Sequence, residues 1–172
     1  MDREAAMARE SVYLETSIIS YLTSRPSRVL VLAAKQQTTR DWWDLRRSEF
    51  DLQISQLVLD EAAQGDPEAA EQRLRTLAGL PVLTVNDEAI ELASAIVQKG
   101  VLPEKAARDA LHLAVVSVHG TDYLLTWNCA HLANAEIMRV VSRFVRDRGY
   151  EPPIICTPDE LMGDVQCPET PL

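Results

Sequence analysis

No CxxC pair, no glycine-rich phosphate loop and no long apolar run occurs in this chain, and each absence removes a class of function. Cys129, Cys156 and Cys167 have no metal-ligand spacing and accompany no secretory signal, so reduced thiols and a cytoplasmic protein are expected. Without GxGxxG or GxxxxGKS/T, the usual dinucleotide and P-loop sites are excluded. The longest apolar run, residues 29–34, is far too short to cross a bilayer, and residues 1–11 are charged and alanine-rich, so no membrane segment is expected. Basic residues are outnumbered: 17 Lys and Arg against 26 Asp and Glu give a formal net charge of −9. A broad basic surface for sequence-independent nucleic-acid binding is ruled out, so any contact with nucleic acid must be local. Internal repeats, low-complexity tracts and linkers are absent as well.

What is present suits one compact domain. A chain of 172 residues, 47% of them hydrophobic, can bury a sizeable core. The domain is placed at 12–160, with 1–11 and 161–172 as loose termini. Strands are expected at Val12-Tyr13-Leu14, 52–55, 81–85, Tyr123-Leu124-Leu125 and Ile154-Ile155-Cys156. Helical patterns alternate with them: one from Ile18, a long amphipathic one over 28–50, one from Leu57, and four with clear boundary signals. Those four are Asp66-Pro67 opening a helix to Ala78, Asn86 capping 87–99, Pro103 opening the next, and Asn134 capping 135–148. Thr157-Pro158-Asp159-Glu160 reads as a capping box. Continuous apolar strands alternating with helices predict an α/β fold in three layers, α/β/α, around a central parallel five-stranded sheet.

The stretch from Pro103 to Asn128 organises this plan. Leu111, Ala114, Val115 and Val118 share one helical face, Gly120 ends the helix, and a core strand follows that stops at Thr126-Trp127-Asn128. Ligands of parallel sheets bind outside the carboxyl ends of the strands, which puts Asn128 in position for chemistry. Glu15 and Glu61 each trail a strand and Asp109 lies early in a helix, so Glu15, Glu61, Asp109 and Asn128 can meet at one end of the sheet. Singly, each acid also reads as a cap or a solvated side chain; jointly they read as an oxygen-only cation site for Mg²⁺ or Mn²⁺. Such an ion suits phosphodiester hydrolysis. Thr126 is a candidate hydroxyl contact to a water or phosphate, with a plain strand-end role as the alternative; Lys105 and Arg108 are placed to meet a phosphate.

Four segments carry a resemblance to a known family. Val12-Tyr13-Leu14-Glu15-Thr16-Ser17, Leu57-Val58-Leu59-Asp60-Glu61, Ala107-Arg108-Asp109-Ala110-Leu111-His112-Leu113-Ala114 and Leu125-Thr126-Trp127-Asn128 resemble, in order, the motif regions of PIN-domain proteins, including VapC-like toxins. The resemblance implies a divalent-metal-dependent endoribonuclease, the toxin of a toxin–antitoxin pair. Glu15, Glu61 and Asp109 would be its metal-binding acids, with Asn128 in the fourth position. It also implies a small antitoxin whose basic tail occupies the acidic site, and a homodimer. Two departures bear on the site. Glu15 is one methylene longer than the aspartate usual there, and Asn128 is neutral where an aspartate is frequent, which favours a single metal ion.

Other polar residues have competing assignments. His112, three residues after Asp109, either faces the site or is a hydrogen-bonded core histidine. Trp127 either stacks on a base or plugs the core edge, and Arg139, Arg143 and Arg146 form either an RNA-backbone stripe or a solvated face. Trp42 and Trp43 are adjacent, so one of them is expected to leave the core, which marks the 28–50 helix as a partner surface. Two rival functions stand beside the nuclease. A catalytically weak PIN-like module that binds RNA or protein would have little affinity for Mn²⁺. A phosphotransfer protein needs an aspartate at a strand end, where this chain has Glu15-Thr16-Ser17.

Overall fold

The computed structural model describes residues 9–163; of the loose ends expected at 1–11 and 161–172, residues 1–8 and 164–172, Cys167 included, lie outside the described residues. Five strands, β1 (Ser11–Leu14), β2 (Asp51–Ser55), β3 (Val82–Leu83), β4 (Tyr123–Leu125) and β5 (Ile154–Cys156), form one sheet in the order β3-β2-β1-β4-β5. Every pairing is parallel, with Tyr13 opposite Gln53 on one side and Leu124 on the other. Val12, Tyr13, Leu14, Leu124 and Leu125 are fully buried, as continuous apolar strands covered on both faces must be. Seven helices cover the sheet: α1 (Thr16–Thr23), α2 (Leu30–Leu45), α3 (Gln56–Ala62), α4 (Pro67–Leu77), α5 (Asp87–Gln98), α6 (Ala107–His119) and α7 (Ala135–Asp147). The result is the three-layer α/β/α arrangement expected from the sequence.

Local chemistry explains most boundaries. The side chains of Asp66, Asn86 and Asn134 accept backbone N–H groups at the starts of α4, α5 and α7, and Pro67 fills the first helical position of α4. Gly120 ends α6 at φ 66°, in the left-handed region where a side chain is strained. Buried alanines on both members, Ala89 and Ala93 of α5 and Ala110 and Ala114 of α6, permit the close packing of that pair.

Several boundaries differ from expectation. The 28–50 helix is shorter: it runs from Leu30 to Leu45 and passes into a 3-10 turn, Arg47–Glu49. Pro103 is extended rather than helical, at ψ 156°, and a 3-10 turn, Glu104–Ala106, precedes α6. Strand β3 keeps only two of the five residues assigned to it, because only Ile54 and Ser55 of β2 offer it partners. At Thr157 the backbone N–H does donate to Glu160, at 2.9 Å, yet a turn follows instead of a helix. Trp42 is fully buried and stacks near Phe50, while Arg47 lies over the half-buried Trp43. Both tryptophan rings are therefore packed within the chain, although the buried Trp42 Nε1 has no hydrogen-bond partner. The exposed apolar part of α2 lies at its other end, where Leu30 is 83% and Val31 64% exposed.

The strand order fixes where loops part. The chain moves from β1 to β2 to β3 on one side, then returns past β1 to β4 and β5 on the other. The carboxyl ends of β1 and β4 thus flank the point where connections diverge, and a crevice opens there in sheets of this kind. No described helix is long and apolar enough to cross a membrane.

Candidate metal centre at the β1/β4 switch point

Glu15 follows β1 directly, and its N–H still pairs with the Leu125 carbonyl at 3.1 Å, so the residue is fixed by the ladder. Its side chain then turns back to cap α1. Oε1 accepts the Ser17 N–H at 3.1 Å, while Oε2 accepts the Ser17 hydroxyl and, at 2.7 Å, the Thr126 hydroxyl. Only 7% of the residue is exposed.

Thr126, a candidate contact to a water or phosphate with a strand-end role as the alternative, is fully buried. Its hydroxyl donates to Glu15 and accepts the Asn128 N–H at 2.9 Å. Asn128 Oδ1 accepts the His131 N–H at 3.2 Å, and the side-chain amide lies against Asp109. Asp109, on the first turn of α6, is half-buried. Burial pushes its carboxyl above the ordinary aspartate range; the Asn128 amide pulls it down, and the nearby Glu15 charge pushes it up again.

Glu61, near the end of α3, completes the group of acids. Burial alone would raise its carboxyl, but His112, Thr16 and Arg108 hold it down at about 2. The Thr16 hydroxyl donates to Oε2, His112 Nε2 lies 3.1 Å from the same oxygen, and Arg108 Nη1 donates to Oε1 at 3.2 Å. Glu15, Glu61 and His112 each offer one atom within 4.8 Å of the others, a spacing that one ion can bridge. His112 is both things the sequence allowed: a buried helix residue, 1% exposed, and a neighbour of the site. The sequence marks Thr16 and Ser17 only as possible N-caps, a place that Glu15 takes instead, and gives Tyr13 no role at the site. The capping pattern after Glu15 was the signal for Ser17; nothing local announces contacts that span 45 and 99 residues.

Of the expected phosphate contacts, Arg108 is paired with Glu61 and Lys105 is exposed on the turn before α6. Trp127 donates its indole N–H to Thr39 at 2.7 Å and carries Lys35 5.0 Å from its ring centre. That ring therefore anchors α2 beside the site. On α7, Arg139, Arg143 and Arg146 are exposed, and Arg146 pairs with Glu151.

Comparison with solved structures supplies the context for this geometry. VapBC2 from Rickettsia felis, solved bound to a DNA fragment from their promoter, matches at a TM-score of 0.55 and 16% identity, over 86% of this chain and 98% of that one. This chain has a VapC-like PIN fold. VapBC-5 from Mycobacterium tuberculosis, described as a member of a family of toxin–antitoxin systems, matches at a TM-score of 0.41 and 16% identity, over 69% of this chain and 85% of that one. No family model matches the sequence, and no curated protein matches it. In this chain Glu15, Glu61 and His112 come together beside the divergence point of the sheet, with Asp109 near enough for the Glu15 charge to act on it.

The donors present fit a hard divalent cation. Glu15 and Glu61 each offer a carboxylate oxygen within 4.8 Å of the other and of a His112 nitrogen, a donor set that a divalent cation can take.

Proposed function

We propose that this chain is a divalent-metal-dependent endoribonuclease, the toxin of a toxin–antitoxin pair, acting in the cytoplasm. The observation that carries this reading is the cluster of Glu15, Glu61 and His112 beside the carboxyl ends of β1 and β4 in a VapC-like fold, with Asp109 close enough to feel the Glu15 charge. Glu15, Glu61 and Asp109 would hold Mg²⁺ or Mn²⁺, with Asn128 filling the fourth position. When bound, the ion supplies Lewis acidity for attack of water on a phosphodiester. The chain's own groups then orient and neutralise. The Ser17 and Thr126 hydroxyls keep Glu15 in one rotamer, Arg108 and Lys105 meet the phosphate, and the Asn128 amide steadies Asp109.

An acidic protein with this site suits a small antitoxin partner bearing a basic segment. Homodimerisation fits the exposed Val29, Leu30, Val31 and Leu32 at the start of α2. Leu30→Glu should then lower the mass seen by sedimentation to that of one chain; an unchanged mass assigns that patch elsewhere.

The test is cleavage of a mixed RNA pool by partner-free protein, with Mn²⁺ or Mg²⁺ and with chelator. Metal-dependent products carrying 5′-phosphates, absent for Asp109→Asn, support the reading. A folded wild type that is inert and binds no Mn²⁺ overturns it. A second reading, a catalytically weak PIN-like module that binds RNA or protein, is favoured by the Arg108–Glu61 pair, which already gives one acid a cation.

A further inference from the structure

A chain of buried hydrogen bonds runs from the interior of the sheet to the candidate metal centre. Ser55 Oγ, at the end of β2, lies 2.7 Å from Tyr13 Oη, and Tyr13 Oη lies 2.8 Å from His112 Nδ1. His112 Nε2 in turn lies 3.1 Å from Glu61 Oε2. Ser55 and Tyr13 are fully buried, and His112 is 1% exposed. We propose that His112 is a positioning residue rather than a metal ligand, held by Tyr13 at Nδ1 and donating from Nε2 to Glu61. The proposal rests on the metal-dependent reading above and assigns a role within that site.

The direction of the protons follows from what each group can give. Glu61 receives the Thr16 hydroxyl and the Arg108 guanidinium as well as His112, so its carboxylate acts as acceptor throughout. Nε2 must then carry the hydrogen. In a neutral ring Nδ1 is left as acceptor, and Tyr13 is its donor, with Ser55 donating to Tyr13 in turn. A doubly protonated ring would reverse the Tyr13 and Ser55 bonds and leave Nε2–H in place. In every arrangement the Nε2 lone pair is used, which removes His112 from the ligand set and leaves it fixing the carboxylate that holds the ion.

Outer groups that orient a ligand typically account for a 10- to 100-fold share of metal affinity. Glutamine can present an amide N–H where Nε2 stood, whereas asparagine is too short to reach it. Mn²⁺ binding to full-length protein, followed by calorimetry and by the Mn²⁺ paramagnetic signal, should weaken ~10- to 100-fold in His112→Asn and return to within about threefold of wild type in His112→Gln. Nitrogen chemical shifts of the His112 ring in metal-free wild type should report a protonated Nε2. Tyr13→Phe should shift the Nδ1 resonance by removing its donor and leave Nε2 protonated against Glu61, while circular dichroism stays unchanged.

Folded Asn and Gln variants that both bind like wild type, or that lose affinity equally, overturn the positioning role and leave the nuclease reading standing. So does a wild-type ring protonated at Nδ1 alone. A wild type that binds no Mn²⁺ at all overturns both.

Discussion

At the amino end of the β1/β4 pair, Asp122 accepts the Ser11 N–H and the Ser11 hydroxyl, both at 2.7 Å. At the carboxyl end, Glu15 accepts the Ser17 N–H and hydroxyl and the Thr126 hydroxyl. Both acids are thus tied to a neighbouring serine by the same kind of clasp. Asp122 is exposed, and its hydrogen bonds hold its carboxyl below the usual range. Glu15 is buried and shares its surroundings with Glu61 and Asp109. A carboxylate bonded to a serine is a structural device at either end of a sheet; what distinguishes a site is that several such carboxylates are driven together where connections diverge.

The comparison breaks first on activity. Asp109→Asn should abolish RNA cleavage to a degree beyond the ~100-fold typical of outer-shell changes, while Asp122→Asn cleaves like wild type. Equal losses in the two variants would mean that the acid cluster is not the reaction centre. The second effect is on stability. Mn²⁺ at ~100 times its Kd should stabilise wild type by about 2.7 kcal/mol, seen as a rise of several degrees in Tm that chelator reverses. Asp122→Asn should keep that rise and Asp109→Asn should lose it.

How far each end could be read in the sequence differs for a physical reason. Strands such as Val12-Tyr13-Leu14 and caps such as Asn86 and Asn134 announce themselves because the groups that decide them lie within a few residues. The early position of Asp109 in α6 and the place of Glu15 after β1 were legible on the same ground. The inward turn of Thr126, the burial of Trp42 and the link from Tyr13 to His112 were not. Each depends on a partner brought close only by the fold, 111 residues away for the Thr126–Glu15 bond and 99 for Tyr13 and His112. The end of α2 at Leu45 belongs to the same group, since no glycine or proline stands between Leu45 and Phe50 to mark it.

Thr126 supplies the next test. Thr126→Val keeps the shape of the side chain but removes a donor to Glu15 and an acceptor for the Asn128 N–H in a fully buried place. A buried carboxylate and an amide left short of a partner should cost ~1–3 kcal/mol in urea unfolding. Ser11→Ala, which removes the hydroxyl bond to an exposed carboxylate and the acceptor of the Asp122 N–H, should cost less. If the two changes cost the same, burial at the carboxyl end has no energetic consequence for Glu15.

The smallest effect belongs to Asp122 and shows itself in acid. Its carboxyl is depressed below the ordinary 3.8 when folded, first by the Ser11 N–H and then by the Ser11 hydroxyl. A depressed carboxyl adds stability that is present above its unfolded value and lost as pH falls through its folded value. Wild type should therefore exceed Asp122→Asn at neutral pH by no more than the ~1 kcal/mol usual for exposed charges, and the gap should close as the pH drops below 3.8. Urea midpoints at neutral pH and in that acid range measure it. A gap that persists in acid would mean that Asp122 acts through shape, as a neutral clasp on Ser11, and its likeness to Glu15 would then be geometric alone.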